Sequence, residues 1–310
     1  MNDTVGRFGS GQAVRRLEDG PLLAGAGRFT NDEALPGQAH LVFLRSPHAH
    51  ARILSVDTSA ALAMPGVVAI LTGEDVAAAG LKSLGVALPF KRPDGSDLAA
   101  PPRPILSQGL VRFVGEPVAA IIAESPAAAR DAAEAVMVDY EELPAVTGLR
   151  DAIAPGAPQL WPAAGNNIVA ETRYGDHAAV EAAFAKAAHV VALDLVNQRL
   201  APVSMEPRVV LAEYDGARDR FTIRMSTQMP SGFRDQLCKE VLDIPTDRVR
   251  VLVGDVGGGF GMKTGLYAED AVVAFAAQRL GRPVRWAAER MEDFLAALHG
   301  RDTDSKVELA

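Results

Sequence analysis

Three observations predict an α+β fold in two domains. Short apolar strands alternate with short helices up to about residue 145, proline and glycine then recur without hydrophobic periodicity between Leu143 and Asn167, and a strand, a glycine cluster and a long apolar helix succeed one another near Phe260. With 310 residues, 48% of them hydrophobic and 23% charged, the chain has apolar material for one large or two medium cores.

Residues 1–19 are polar and mixed in charge and read as an extended lead-in, after which Pro21, Gly25, Gly27, Pro36 and Gly37 punctuate a turn-rich entry. Strands are predicted over 41–44 and 52–56, then a short helix opened by Thr58 or Ser59, a Pro65-Gly66 turn and a strand over 67–71. Residues 79–104, rich in Pro, Gly and Asp, read as a long surface loop. The apolar run 117–123 predicts a buried strand, Ser125 and Pro126 open an alanine-rich helix over 127–135, and a strand passes through Val138 and Tyr140. Pro144, Gly148, Pro155, Gly156, Pro158, Pro162 and Gly165 mark an interdomain connection.

The second half opens with an amphipathic helix over 177–188 that feeds a strand over 190–197, followed by a hairpin across Asp215-Gly216. A helix with Phe233, Leu237 and Val241 on one face comes next. The strand 250–253 enters the glycine cluster, and the apolar helix 268–280 is stopped by Gly281 and Pro283. Residues 304–310 read as the start of a strand carrying Val307 and Leu309.

A net charge of −8, without a lysine or arginine block, argues against nucleic acid and anionic membrane surfaces as partners. The polar N-terminus lacks the layout of a secretory signal, and no apolar run approaches the roughly 18 residues of a membrane span, so a cytoplasmic location is expected. Cys238 is the sole cysteine. It excludes an internal disulfide and an iron–sulfur cluster held by four cysteines of this chain alone.

The most informative segment is Asp255-Val256-Gly257-Gly258-Gly259-Phe260-Gly261-Met262-Lys263-Thr264. Successive glycines let backbone N–H groups approach an anionic or oxo-bearing ligand, although a tight strand-to-helix crossing would use the same residues. Met262 stands where a P-loop needs glycine before its lysine, and the third glycine of a dinucleotide fingerprint is replaced by Met262 or Thr264. Both nucleotide readings fail. His40, His48 and His50 lack the spacing of known zinc motifs and read as packing or solvent-facing residues. Glu141-Glu142 and Glu269-Asp270 resemble acid/base pairs, but the first adjoins a proline turn and the second suits an early helical turn.

The cluster does resemble the Gly-Gly-Gly-Phe-Gly-x-Lys loop of the molybdenum hydroxylases, the xanthine dehydrogenase and aldehyde oxidase family. The resemblance extends to Gly25-Ala26-Gly27-Arg28-Phe29-Thr30-Asn31-Asp32 and Arg45-Ser46-Pro47-His48-Ala49-His50-Ala51-Arg52-Ile53, nearest the carbon monoxide dehydrogenase large-chain branch. Val114-Gly115-Glu116-Pro117-Val118-Ala119 and Tyr140-Glu141-Glu142-Leu143-Pro144 resemble the family's α/β hammerhead domain, which would occupy 20–145. A linker over 146–167 and the first part of a molybdenum-cofactor-binding domain over 168–310 would follow. Asn197-Gln198-Arg199-Leu200 with Met205-Glu206-Pro207 resembles the stretch whose glutamine reaches the molybdenum centre.

The resemblance implies a molybdenum-pyranopterin cofactor, in some members a dinucleotide, that brings its own sulfur ligands, so no side chain of this chain is expected to ligate the metal. It implies oxidation of an aldehyde, an N-heterocycle or carbon monoxide, with oxygen from water and electrons leaving through iron–sulfur and flavin partner subunits. By position, the side-chain amide of Gln198 and backbone N–H groups around Phe260 and Gly261 would donate at the molybdenum centre. Gly257, Gly258 and Gly259 would let the cofactor approach. Lys263 reads equally as a neutraliser of a cofactor phosphate or as a surface lysine. Family subunits continue beyond the region matched here, so the expectation is either a truncated, inactive fragment or a subunit completed by another chain.

Overall fold

The computed structural model describes residues 16–85 and 91–310. Most of the lead-in expected over 1–19 lies outside the described residues, as do residues 86–90 of the expected loop. The described chain begins with a short helix, α1 (Asp19–Leu23). There follow β1 (Ala39–Arg45), β2 (Ala51–Asp57), α2 (Ser59–Leu62), β3 (Val67–Thr72) and α3 (Gly73–Ala78). Next come β4 (Leu110–Val111), β5 (Pro117–Ala123), α4 (Pro126–Glu134), β6 (Met137–Glu142) and α5 (Leu149–Ala152). The second half supplies α6 (His177–Phe184), β7 (Val191–Asn197), β8 (Val209–Asp215), β9 (Arg220–Met225), α7 (Pro230–Gln236) and β10 (Val249–Leu252). It ends with α8 (Ala268–Leu280), β11 (Val284–Ala287), α9 (Arg290–Ala296) and β12 (Thr303–Leu309).

One seven-stranded sheet, in the order β10-β9-β8-β11-β1-β5-β3, draws strands from both halves of the chain. The joint is a parallel pairing of β1 with β11, Ala39 opposite Val284. The unbroken apolar sequence of β5 follows from burial on both faces: Ala120 and Ile122 enter the large core, whereas Ala119 and Ile121 enter a smaller one with Ile70, Ala132 and Val136. The large core holds residues from both sides of 146–167, including Leu41, Phe43, Phe233, Val273 and Trp286. The two halves therefore share a sheet and a core.

Local signals explain the helix ends. The Ser125 hydroxyl accepts from the Ala128 N–H at 3.2 Å, with proline at the first position of α4. Gly281, at φ 61°, closes α8 in the left-handed conformation. The apolar character of α8 all round matches the burial of Glu269 through Ala277.

Some elements differ from the sequence reading. The helix expected over 177–188 ends at Phe184, and neither of its faces is buried. Within the expected surface loop, Leu84 pairs with Arg103, and Leu84 and Ala99 are buried. The strand expected near the end of the sequence forms as β12, paired antiparallel with β7 from Thr303 opposite Asn197 to Leu309 opposite Val191. Every residue of this two-stranded ribbon is exposed.

Candidate functional site

The strand β10 delivers the glycine loop, and α8 receives it. Where the loop starts, Asp255 is stitched to the entry segment: Arg28 N–H donates to its carboxylate at 2.7 Å, and its own N–H donates to Arg28 O at 3.0 Å. A Cβ on Gly254 would lie 2.4 Å from that same carbonyl oxygen. Glycine is needed there for packing against protein.

The same test separates the roles of the other glycines. A Cβ on Gly257 would lie 2.5 Å from Glu206 Cβ, and one on Gly259 would lie 2.4 Å from Gln228 Oε1. At these two positions the space a Cβ would take is filled by the protein's own side chains. Gly258 and Gly261 have φ of 100° and 93°, and Phe260 between them has φ of 51°. Around Gly261 nothing lies within 4 Å of a notional Cβ, and Phe260 is 75% exposed. The open side of the loop is therefore its Phe260-Gly261 corner.

Glu206, Ser226 and Lys263 hold the loop on its buried side. Gly257 N–H donates to Glu206 Oε2 at 2.8 Å, and Glu206 N–H donates back to Gly257 O at 3.1 Å. Lys263 is buried, with a side chain 1% exposed, and so is no surface lysine. Its ammonium donates to Glu206 O at 2.9 Å, Glu206 Oε2 at 3.0 Å and Ser226 Oγ at 2.8 Å, using all three protons. Burial pushes the Lys263 ammonium below the ordinary lysine range, against the pull of Glu206. Among the described residues, Glu206 Oε1 is buried without a hydrogen-bond partner.

Gln228 lies on the exposed side, and its Oε1 accepts from Gly261 N–H at 3.0 Å and Lys263 N–H at 3.3 Å. Two N–H donors at one end of the amide fix that end as oxygen, so the NH2 is turned away with both protons available. Among the described residues, neither Gln228 Nε2 nor Phe260 N–H has an acceptor. The Gly261 N–H, expected to face the metal, is already given to Gln228. Gln198 is exposed just beyond β7 and makes no hydrogen bond among the described residues. The structure brings Gly257 to Gly261 together with Gln228 and leaves Gln198 outside that set.

Nothing in the sequence marks Gln228: Ser226-Thr227-Gln228 is an ordinary polar break between β9 and α7. Glu206 does fall within the motif matched from sequence, but its partner Lys263 is 57 residues away. Only the fold joins them.

Beneath the loop lies a buried ionic network. Arg208 donates to Asp293 Oδ1 at 2.9 Å and reaches Glu269 Oε1 at 3.3 Å, while Arg45 from β1 meets Glu269 at 2.8 Å and Glu292 at 2.6 Å. Burial alone would raise the Glu269 carboxyl; Arg208 and Arg45 outweigh it and hold the group at about 2. Burial pushes its neighbour Asp270 up to about 7 and Tyr267 up to about 12. A cavity of about 10 Å³, lined by Arg208, Ser226, Lys263, Tyr267 and Asp270 among others, joins this network to the loop clamp.

The histidines take other places. His50 Nδ1 lies 2.8 Å from Pro144 O, and His48 packs against the Tyr140 ring with centroids 4.9 Å apart. Among the described residues, no three His, Cys, Asp or Glu side chains converge as metal ligands, and no helix is long and apolar enough to cross a membrane.

Comparison with known proteins gives two family matches. Residues 24–144 match the a/b hammerhead domain of aldehyde oxidase and xanthine dehydrogenase, and residues 160–310 match the molybdopterin cofactor-binding domain. The nicotine 6-hydroxylase large subunit of Paenarthrobacter nicotinovorans is 37% identical over 94% of this chain and 35% of its own length. The carbon monoxide dehydrogenase large chain of Hydrogenophaga pseudoflava is 35% identical over 94% of this chain and 36% of its own. Quinoline 2-oxidoreductase from Pseudomonas putida 86 superposes with a TM-score of 0.87 at 39% identity, covering 96% of this chain and 37% of that one. This chain thus spans little more than a third of the length of such relatives. On these matches, the chain belongs to the xanthine dehydrogenase and aldehyde oxidase family of molybdenum hydroxylases, with a hammerhead domain followed by molybdopterin cofactor-binding domain sequence.

Proposed function

We propose that this chain is the cofactor-cradling part of a molybdenum hydroxylase that oxidises an aldehyde, an N-heterocycle or carbon monoxide with water as oxygen source. Electrons would pass to iron–sulfur and flavin subunits, and the assembly would work in the cytoplasm. The nicotine and quinoline enzymes among the relatives put N-heterocycles first in a substrate screen.

The carrying observation is the open Phe260-Gly261 corner, with Gln228 beside it presenting an amide NH2 that has no acceptor among the described residues. These groups fit an oxygen- and sulfur-rich anionic cofactor: the backbone leaves room at Gly261, and the neighbouring Gln228 amide, whose oxygen takes the Gly261 N–H, has protons with no acceptor among the described residues. When bound, a molybdenum-pyranopterin, as such or as a dinucleotide, would supply the oxidation that transfers a water-derived oxygen to the substrate carbon. Gln228 would donate to the cofactor from a fixed position, since its oxygen is anchored by two backbone donors. Phe260 would offer its N–H and an apolar ring that limits water at the corner. The donor role expected for Gln198 passes to Gln228 on this reading, while Gly257, Gly258 and Gly259 shape the loop.

The ribbon of β7 and β12 supports a requirement for further molybdenum-domain polypeptide, because Val191, Leu193, Leu195, Val196, Val307 and Leu309 are all exposed. Without that cover the chain is expected to be inactive. Co-expression with the complementary chains, purification through this chain, and assay of molybdenum, pterin, iron and flavin test the reading. Near-stoichiometric molybdenum with co-purifying subunits is expected; an assembled complex free of molybdenum and pterin would refute it.

A further inference from the structure

We propose that Lys263 is a positioning residue, whose buried ammonium sets the orientation of the Gln228 amide at the cofactor corner. The inference rests on the cofactor reading above.

Lys263 joins three segments that are remote in sequence. Its ammonium is bound by Glu206 and Ser226, its N–H donates to Gln228 Oε1, and its carbonyl accepts from Gln228 N–H at 2.8 Å and Thr227 Oγ1 at 3.1 Å. Ser226 Oγ in turn donates to Glu206 Oε2 at 2.5 Å, and that same oxygen receives Gly257 N–H at 2.8 Å. One side chain therefore fixes both ends of the glycine loop, and one backbone unit fixes the amide that faces the open corner.

Stability is a poor explanation for this arrangement. A buried ion pair is commonly matched or exceeded in stability by apolar residues of similar volume, and here Glu206 Oε1 has no partner among the described residues as well. What apolar residues could not reproduce is direction: an ammonium with three acceptors on two segments allows the loop one placement. Groups that orient the residues around a metal centre commonly change its retention and activity about 10- to 100-fold when removed.

The test uses the assembled, molybdenum-bearing complex with Lys263→Met, Ser226→Ala and the double variant Lys263→Met/Glu206→Leu. Molybdenum content and the electron paramagnetic resonance spectrum after partial reduction are read beside thermal unfolding. Lys263→Met is expected to unfold at a lower temperature, to retain about tenfold less molybdenum and to show an altered spectrum. The double variant, with no charge left unpaired, is expected to recover the unfolding temperature but not the spectrum or the molybdenum. Ser226→Ala removes one acceptor without adding volume, so it should shift the spectrum in the same direction even if the other two fail to assemble. A stable double variant with wild-type molybdenum and spectrum overturns the proposal, as does an unchanged Ser226→Ala. A wild-type complex without molybdenum would instead overturn the cofactor reading itself.

Discussion

At Gln228, two backbone N–H groups donate to the carbonyl oxygen and leave the amide protons of this exposed side chain without an acceptor among the described residues. Gln228→Ala removes those donors and exposes no buried charge, so turnover of the assembled enzyme should fall about 10- to 100-fold with little change in unfolding temperature. Gln198→Ala should stay within about twofold of wild type, since that side chain is exposed and unbonded among the described residues. Steady-state kinetics on both variants decide the matter, and the reverse ranking would return the donor role to Gln198. Asp270 offers a second test. Its carboxyl is pushed up to about 7 by burial, above an unfolded value of about 3.9. The folded state therefore holds a proton that the unfolded state releases. This contribution is complete below about pH 4 and is lost as the pH rises to 7. Asp270→Asn keeps an acceptor for Tyr267 N–H and does not titrate, so it should gain stability relative to wild type between pH 5 and pH 8. Urea unfolding at the two pH values measures this, and a constant difference would mean that Asp270 is already ionised in the fold.

The strand β5, the helix α4 and the helix α8 could be read from sequence because their signals are local: an unbroken apolar run, a Ser-Pro cap, a glycine stop. Weaker or shorter signals were lost. The strand β11 has four residues and β4 only two, and α9 opens with Glu289 and Glu292 as a capping box in place of a serine or threonine. The helix α3 carried a readable box, Thr72 with Asp75, at the edge of what looked like loop. Pattern also misleads where burial is missing. The helix α6 and the strand β7 have apolar residues at the expected spacing, yet the structure exposes them, because periodicity states that a face wants cover and not what supplies it. The ribbon therefore yields its own prediction. In the isolated chain, amides of β7 and β12 should exchange with solvent far faster than those of β5, whose two faces are buried, and in the assembled complex they should become protected. Equal exchange in the two states would mean that no partner covers the ribbon.

The stretch 146–167 reads as a linker between two domains, but the sheet and the ion pairs cross it. The strand β1 pairs with β11, and Arg45 at its end meets Glu269 of α8 and Glu292 of α9 with its own side chain only 10% exposed. Loss of Arg45 would leave Glu269, 3% exposed, with Arg208 alone. Removing one partner of a buried pair typically costs about 3 to 5 kcal/mol, because the remaining charge stays desolvated. Arg45→Met should therefore destabilise the chain by several kcal/mol, on the order of that range. Arg52→Met, at an exposed pair with Glu141, should cost less than about 1 kcal/mol. The same geometry bears on cooperativity. A fragment of residues 20–145 would lack β11 and α8, leaving β1 with an open edge and the Leu41-Phe43 side of the sheet without Trp286 and Val273. Such a fragment should give no sharp thermal transition by circular dichroism and poorly dispersed amide resonances, whereas the chain with both halves should unfold as one unit. A fragment that melted sharply, together with an Arg45→Met cost no larger than that of Arg52→Met, would show that the halves are separable domains and that the bonds between them carry little of the stability.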